Sequence, residues 1–142
     1  MADGGIVTYA GVAHSWMCDT MGHLNVRNYL AMFDDASFQL LGRIAGTDFD
    51  ATRLGWADAR LELDYVREVR AGGLVTVRSH VEKVGSSSLV VGHVMTGSVD
   101  GLVHARARVV TVHFDLAARR KRVIQGALRK RAEDLLAQTA PS

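Results

Sequence analysis

One cysteine and one proline are all that 142 residues contain of the two types that most constrain a chain. A lone Cys18 excludes an internal disulfide framework and any zinc site built from several cysteines. Pro141, the single proline, lies in a small polar end that is expected to fray. Aromatic residues are only 6% and no RNA-binding signature accompanies them, so a stacking platform for bases is excluded and no nucleic-acid partner is expected. No apolar run approaches the roughly 18 to 20 residues that span a bilayer, so no membrane partner is expected either. The first residues, Met1-Ala2-Asp3-Gly4-Gly5, lack a basic region followed by an apolar stretch. With no secretory signal there, the cytoplasm is the expected location.

What the chain does have is ordinary globular composition, 48% hydrophobic and 23% charged, at a length that suits one domain over 1–142. The net charge is only +2, but seven of the seventeen basic residues crowd into thirteen positions: Arg119, Arg120, Lys121, Arg122, Arg129, Lys130 and Arg131. Such a cluster suits a polyanionic partner, or it is a solvated tail and helix face; charge alone leaves the two even.

Periodicity organises the rest. Residues 6–17 are rich in β-branched and aromatic types and predict a strand. Asp19, Gly22 and Asn25 mark a loop over 18–25. From Val26 through Leu30, Phe33, Ser37, Leu40 and Ile44 the apolar and small residues recur at three- and four-residue steps, which predicts a helix capped near Asn25 and ended by Gly42 or Gly46. Tyr29, Met32 and Phe38 make that helix apolar on nearly all sides, so it is expected to be wrapped by other structure. Four strands follow, near 56–66, 74–84, 88–98 and 102–115, separated by turn-forming stretches. In the first of these, Ala59, Leu61, Leu63 and Tyr65 alternate with Arg60, Glu62 and Asp64. Asp100-Gly101 makes the last two an antiparallel hairpin. A short helix over 127–137 closes the chain. The layout is α+β: a five-stranded antiparallel sheet curled around one long central helix. So short a sheet leaves edges that invite a second copy.

The stretch from Trp16 to Tyr29 is the most informative for chemistry. It places Asp19 in a loop that feeds a helix N-terminus, where free backbone N–H groups favour negative charge on a bound oxygen. A carboxylate beside such a hole can serve acyl transfer as nucleophile or base. It can equally be a helix cap or an Asx turn, and spacing alone favours that plainer role.

Cys18-Asp19-Thr20-Met21-Gly22-His23-Leu24-Asn25, with Asn28-Tyr29 and Phe33-Asp34-Asp35-Ala36 behind it, resembles the signature of the 4-hydroxybenzoyl-CoA thioesterase-like hotdog family. Tyr65-Val66-Arg67-Glu68-Val69-Arg70-Ala71-Gly72 and Gly85-Ser86-Ser87-Ser88-Leu89 are similar to that family's strand and turn patterns. The resemblance runs from about residue 6 to 125. It implies an acyl-CoA thioesterase without cofactor or metal, assembled as a homodimer or homotetramer with active sites between subunits. By position, Asp19 matches the catalytic aspartate and the Val26 N–H the oxyanion donor. Gly22 would let backbone approach substrate closely, and His23 and Asn25 would orient the loop or touch the thioester. Trp56, with Asp58, would face the acyl pocket, though ordinary packing accounts for the pair equally well. Ser86, Ser87 and Ser88 stand where some relatives carry basic residues for the nucleotide phosphates, so Arg119, Arg120 and Arg122 become the substitute candidates. The proline common after the aspartate is Thr20 here. The stretch from Tyr65 to Gly72 also resembles thioesterases found alongside carnitine and betaine breakdown, which admits a small polar acyl group.

Two other functions fit the same fold: enoyl-CoA hydration and non-catalytic acyl-CoA binding. The hydratases pair Asp with His at a spacing other than that of Asp19 and His23, and an intact Asp19 argues against simple binding. Asp34 or Asp35 is the second-choice acid, otherwise a polar contact between subunits. Cys18 is expected to be a small buried residue. His14, His80, His93, His104 and His113 lack metal-ligand spacing and are expected at the surface or satisfied within strands.

Overall fold

The structure is a computed structural model that describes residues 4–47 and 53–136. In chain order it runs β1 (Ile6–Val12), a 3₁₀ turn (Ser15–Met17), α1 (Val26–Ala45), β2 (Leu54–Tyr65), β3 (Leu74–Val84), β4 (Ser88–Gly97), β5 (Val103–Asp115), β6 (Arg120–Lys121) and α2 (Gly126–Asp134). Every strand pairing is antiparallel, in the order β1-β3-β4-β5-β2, with β6 added to β5. The expected α+β layout holds and the four long strands fall within two residues of their predicted ends. The sixth strand is new: it returns alongside Phe114 and Asp115. The terminal helix starts at Gly126 and ends at Asp134, short of the predicted 137.

The predicted first strand stops at Val12, because His14 to Met17 turn into a 3₁₀ segment instead of continuing the ladder. The helix also departs from expectation. Tyr29, Met32, Phe33, Ala36, Ser37, Leu40 and Ile44 are buried, the spacing of one face, and α1 lies on β1, β3 and α2. Its other side is bare, with Phe38 72% exposed, so this 20-residue helix is laid on the sheet and not enclosed by it. A narrow sheet can cover one stripe of a helix only. Facing α1, alternate residues of β5 (Ala105, Ala107, Val109, Thr111, His113 and Asp115) are all buried, as period two demands. Fully buried Phe33 and Leu40 each contribute on the order of 2–3 kcal/mol.

β2 is one of the two edge strands of this order, β1 being the other, and eight of its 12 residues are exposed. Its register slips between Asp58 and Arg60, leaving Ala59 as an extra residue. Before the bulge, Trp56 and Asp58 pair with His113 and Thr111 on the helix side; beyond it, Leu61 and Leu63 pair with Val109 and Ala107 on that same side.

Candidate active site

Residues 18–25 form a knot of local hydrogen bonds. Asp19 N–H donates to His23 O (2.9 Å) and Gly22 N–H to Asp19 O (3.0 Å), closing a tight turn across which Cys18 pairs with Leu24. Gly22 has φ +78°, a value that a side chain would strain. That backbone need, and no crowding within the chain, explains the glycine: a Cβ there would meet nothing within 4 Å. One carboxylate oxygen of Asp19, Oδ1, accepts from the N–H groups of Met21 (2.9 Å) and His23 (3.2 Å). The Asx turn is therefore real, and it fixes the carboxylate while Oδ2 stays unengaged among the described residues.

The knot is tied on both sides. Leu24, buried, donates its N–H to Val69 O (2.7 Å), and Ala71 N–H reaches Gly22 O (3.0 Å). The Met17 carbonyl accepts from Asn25 N–H (3.0 Å) and Asn28 Nδ2 (2.9 Å). Asn25 caps α1, its Oδ1 taking the Arg27 N–H (3.0 Å), while its carbonyl takes those of Asn28 and Tyr29. That leaves the Val26 N–H as the one in the first turn without a partner among the described residues. Val26 borders a shallow pocket of about 300 Å³ shared with Leu24, Tyr29, Tyr65 and Glu68. Tyr29 and Tyr65 meet edge to face, 5.1 Å between rings, and burial raises the Tyr29 hydroxyl above its usual pKa. His23 Nε2 is 3.9 Å from Glu68 Oε2. Cys18 is half-buried rather than buried, its thiol donating weakly to His14 O (3.5 Å).

A second cavity, about 400 Å³, lies between α1 and β2, lined by Asp34, Ser37, Phe38, Leu41, Trp56 and Asp58 among others. Trp56 lines this cavity and packs 4.8 Å from the His113 ring. Asp34 also lines it, whereas Asp35 does not. Beneath its floor runs a buried polar chain that the sequence did not suggest. Ser37 Oγ is 2.9 Å from His93 Nε2, His93 Nδ1 is 2.5 Å from Ser79 Oγ, and Ser79 Oγ is 2.6 Å from Thr8 Oγ1. Burial pushes the His93 pKa down to about 4, so the ring is neutral at ordinary pH. His113 is buried as well, with its pKa lowered chiefly by burial. The Arg122 and Val123 backbone and the Asp115 carboxylate beside it work against that lowering.

The basic cluster divides in two. Arg129 Nη1 donates to Gly85 O and Ile124 O (both 3.1 Å), and Arg131 to the last carbonyls of α1, Ile44 O (2.6 Å) and Ala45 O (2.8 Å). These two are braces, not solvated charges. Arg119, with φ +59°, lies over the Phe114 ring, and Arg122 pairs with Asp115 (3.3 Å). The N–H of Ala118, helped by Ala117, Arg53 and Arg122, holds the Asp115 carboxyl below its usual pKa. Arg120 and Lys121 are exposed. Ser86 and Ser87 sit beside this hairpin, their carbonyls accepting from Ile124 and His113 N–H (both 2.8 Å), and Ser88 opens β4.

These candidates do not converge within one chain. Asp19, Gly22, His23, Asn25 and Val26 stand at the start of β3; Ser86 to Ser88 and Arg119 to Arg122 stand at its far end. The ten steps from Leu74 to Val84 put about 33 Å between the two groups.

A model of the thioesterase-like superfamily matches residues 12–136. The chain belongs to that superfamily. Its membership makes it a thioester hydrolase of the hotdog type. The long-chain acyl-CoA thioesterase FadM of Escherichia coli (strain K12) is 23% identical over 119 residues, 83% of this chain and 90% of FadM. A thioesterase from Thermus thermophilus, solved with coenzyme A and zinc, is 27% identical at a TM-score of 0.79, covering 94% of this chain and 96% of that one. The 1,4-dihydroxy-2-naphthoyl-CoA thioesterase Slr0204 of Synechocystis shares the fold at TM-score 0.76 and 15% identity, over 91% and 96% of the two chains. Among the described residues, no three His, Cys, Asp or Glu side chains gather as metal ligands, and no helix is long and apolar enough to cross a membrane.

Proposed function

We propose that this protein hydrolyses acyl-CoA thioesters, with Asp19 acting on the carbonyl carbon as nucleophile or as base toward water. The observation that carries this reading is the pairing of a backbone-fixed carboxylate with an unpartnered N–H at the cap of α1. The Val26 N–H stabilises the oxyanion as the C–O bond forms, and the helix dipole adds to it. As base, Asp19 takes a proton from the attacking water, and collapse of the tetrahedral species breaks the C–S bond and passes that proton to the departing CoA thiolate. As nucleophile, it expels the thiolate to leave an acyl–aspartyl anhydride, which water then hydrolyses, freeing the acid and Asp19 and supplying the thiol's proton. Asn25 holds the cap, Gly22 permits the turn, and His23 steadies the loop against Glu68. The CoA-bound relative from Thermus thermophilus and FadM support CoA as the carrier.

Two copies complete the site. β2 offers a long unpaired edge, and its antiparallel pairing with the same strand of a second copy sets the Tyr65 end of one against the Leu54 end of the other. Asp19 and Val26 of one subunit then face the partner's α1–β2 cavity, which receives the acyl group. The partner's Arg119, Arg120 and Arg122, with Ser86 to Ser88, flank the nucleotide phosphates. The unit is a homodimer, or two such dimers joined, of single domains. Thiol release from a panel of short, long, aromatic and betaine-type acyl-CoAs tests this reading; an inert panel would reject it.

A further inference from the structure

The buried chain beneath the α1–β2 cavity has a direction. Its last member, the Val77 carbonyl, can only accept, and it takes the Thr8 hydroxyl proton at 3.3 Å. With that proton committed, the Thr8 oxygen must accept from Ser79, and Ser79 in turn must accept from His93 Nδ1–H. His93 Nε2 is then an acceptor, so the Ser37 hydroxyl donates to it. Every proton points inward. The oxygen of Ser37 is left with lone pairs only toward the cavity that it lines.

A serine on a neutral histidine has the look of a nucleophile with its base. Here the far ring nitrogen meets a hydroxyl, not a carboxylate, and His93 is 1% exposed. An imidazolium formed there would be desolvated and repelled by His80, with only Glu82 acting in its favour, so proton transfer from Ser37 is disfavoured. The chain holds a polarity in place; it does not deliver a proton. The other polar side chains lining the cavity, Asp34 and Asp58, are carboxylates and equally acceptors. Around them stand Phe38, Leu41, Leu54 and Trp56.

We propose that Ser37 is a specificity-determining residue, a fixed hydrogen-bond acceptor that makes the cavity favour acyl groups carrying a hydroxyl over their unsubstituted counterparts. The inference rests on the reading of this cavity as the acyl pocket. A ligand hydroxyl has three acceptors to meet there, whereas the one side-chain donor of the lining, the Trp56 Nε1–H, is itself buried.

Thiol release from the full-length protein tests it with octanoyl-CoA, a set of hydroxyoctanoyl-CoAs with the hydroxyl moved along the chain, and the matching methoxy compounds. At one or two adjacent positions the hydroxyl should raise kcat/KM about tenfold over octanoyl, and methylating it should abolish the gain. Ser37→Ala should lower the hydroxy-to-plain ratio severalfold at the favoured position, Asp34 and Asp58 accounting for what remains, and Ser37→Thr should keep it. A flat hydroxyl series, an equal gain from methoxy, or a ratio unchanged in Ser37→Ala would overturn the proposal. The wild-type comparison decides the matter even if Ser37→Ala does not fold. Phe38→Ala, which widens the cavity, separates the two ideas. If it leaves chain-length preference unmoved, the cavity is not the acyl pocket; if preference moves but the hydroxyl series is flat, only the role of Ser37 falls.

Discussion

Asp19 keeps one carboxylate oxygen engaged and the other open, the arrangement of a group held still for chemistry. Asp19→Asn preserves the shape and removes the charge, so thiol release should fall by well over tenfold, more than about 1.4 kcal/mol in the barrier. Asp35→Asn, away from both cavities, should be mild, and Asp34→Asn should alter acyl preference more than rate; a larger loss at either would move catalysis to the helix. His93 carries a second prediction. Its folded pKa of about 4 lies below the ordinary 6.5, so the unfolded chain binds the extra proton between those values. Stability is therefore complete above about pH 6.5 and is lost as pH falls toward 4, by on the order of 2 kcal/mol between pH 7 and 5. Urea midpoints across that range should show the slope, and His93→Gln should flatten it. Asp19 was legible because its neighbours form a pattern. The His93 chain was not: its four side chains lie on four elements, and nothing in their spacing announces that they meet.

At the scale of elements, the clamp around Met17 explains why the loop has one shape. Its carbonyl gathers Asn25 and Asn28 while Asn25 caps α1, so the entry to the helix and the exit from the turn are one structure. Asn25→Ala should cost about 1 kcal/mol of stability, read as a lower urea midpoint with unchanged slope. Because the cap also orients the Val26 N–H, kcat should fall with it while KM changes less. The strands were readable from alternation and turn residues. The 3₁₀ turn at Ser15–Met17 was not, since the strand-like run before it continues into Trp16, and the bonds from Asn25 and Asn28 that hold the Met17 carbonyl come from later in the chain. β6 escaped notice for a related reason: four consecutive basic residues look like solvated tail until Asp115 anchors the return.

At the scale of the whole molecule, the two halves of the proposed site lie at opposite ends of one sheet, and this can be tested by mixing. One variant, Asp19→Asn, keeps the basic hairpin; another, with Arg119, Arg120 and Arg122 all changed to Ser, keeps Asp19. Each should be poor at low acyl-CoA concentration, the second through KM alone, since those charges touch a part of the substrate remote from reaction. Unfolded together and refolded, they should regain activity, because one site of each mixed dimer is intact. No recovery would place both groups in one chain's site. Light scattering should find no stable 15.4 kDa species with full activity at micromolar concentration.

Ala59, the extra residue in β2, lets the strand miscount by one and still bring Trp56, Asp58, Leu61 and Leu63 to the same side. Read as an editing problem, the strand tolerates a change in only one direction. Deleting Ala59 removes the surplus residue and returns the ladder to regular pairing, so the cavity wall keeps its faces and chain-length preference should survive. Inserting a residue between Trp56 and Ala57 supplies a second surplus that the ladder must absorb. Unless another bulge forms, Trp56 turns to the outer face and His113 loses the ring it packs on. The two edits differ by a single codon in opposite senses, and only the insertion should empty the wall of the cavity.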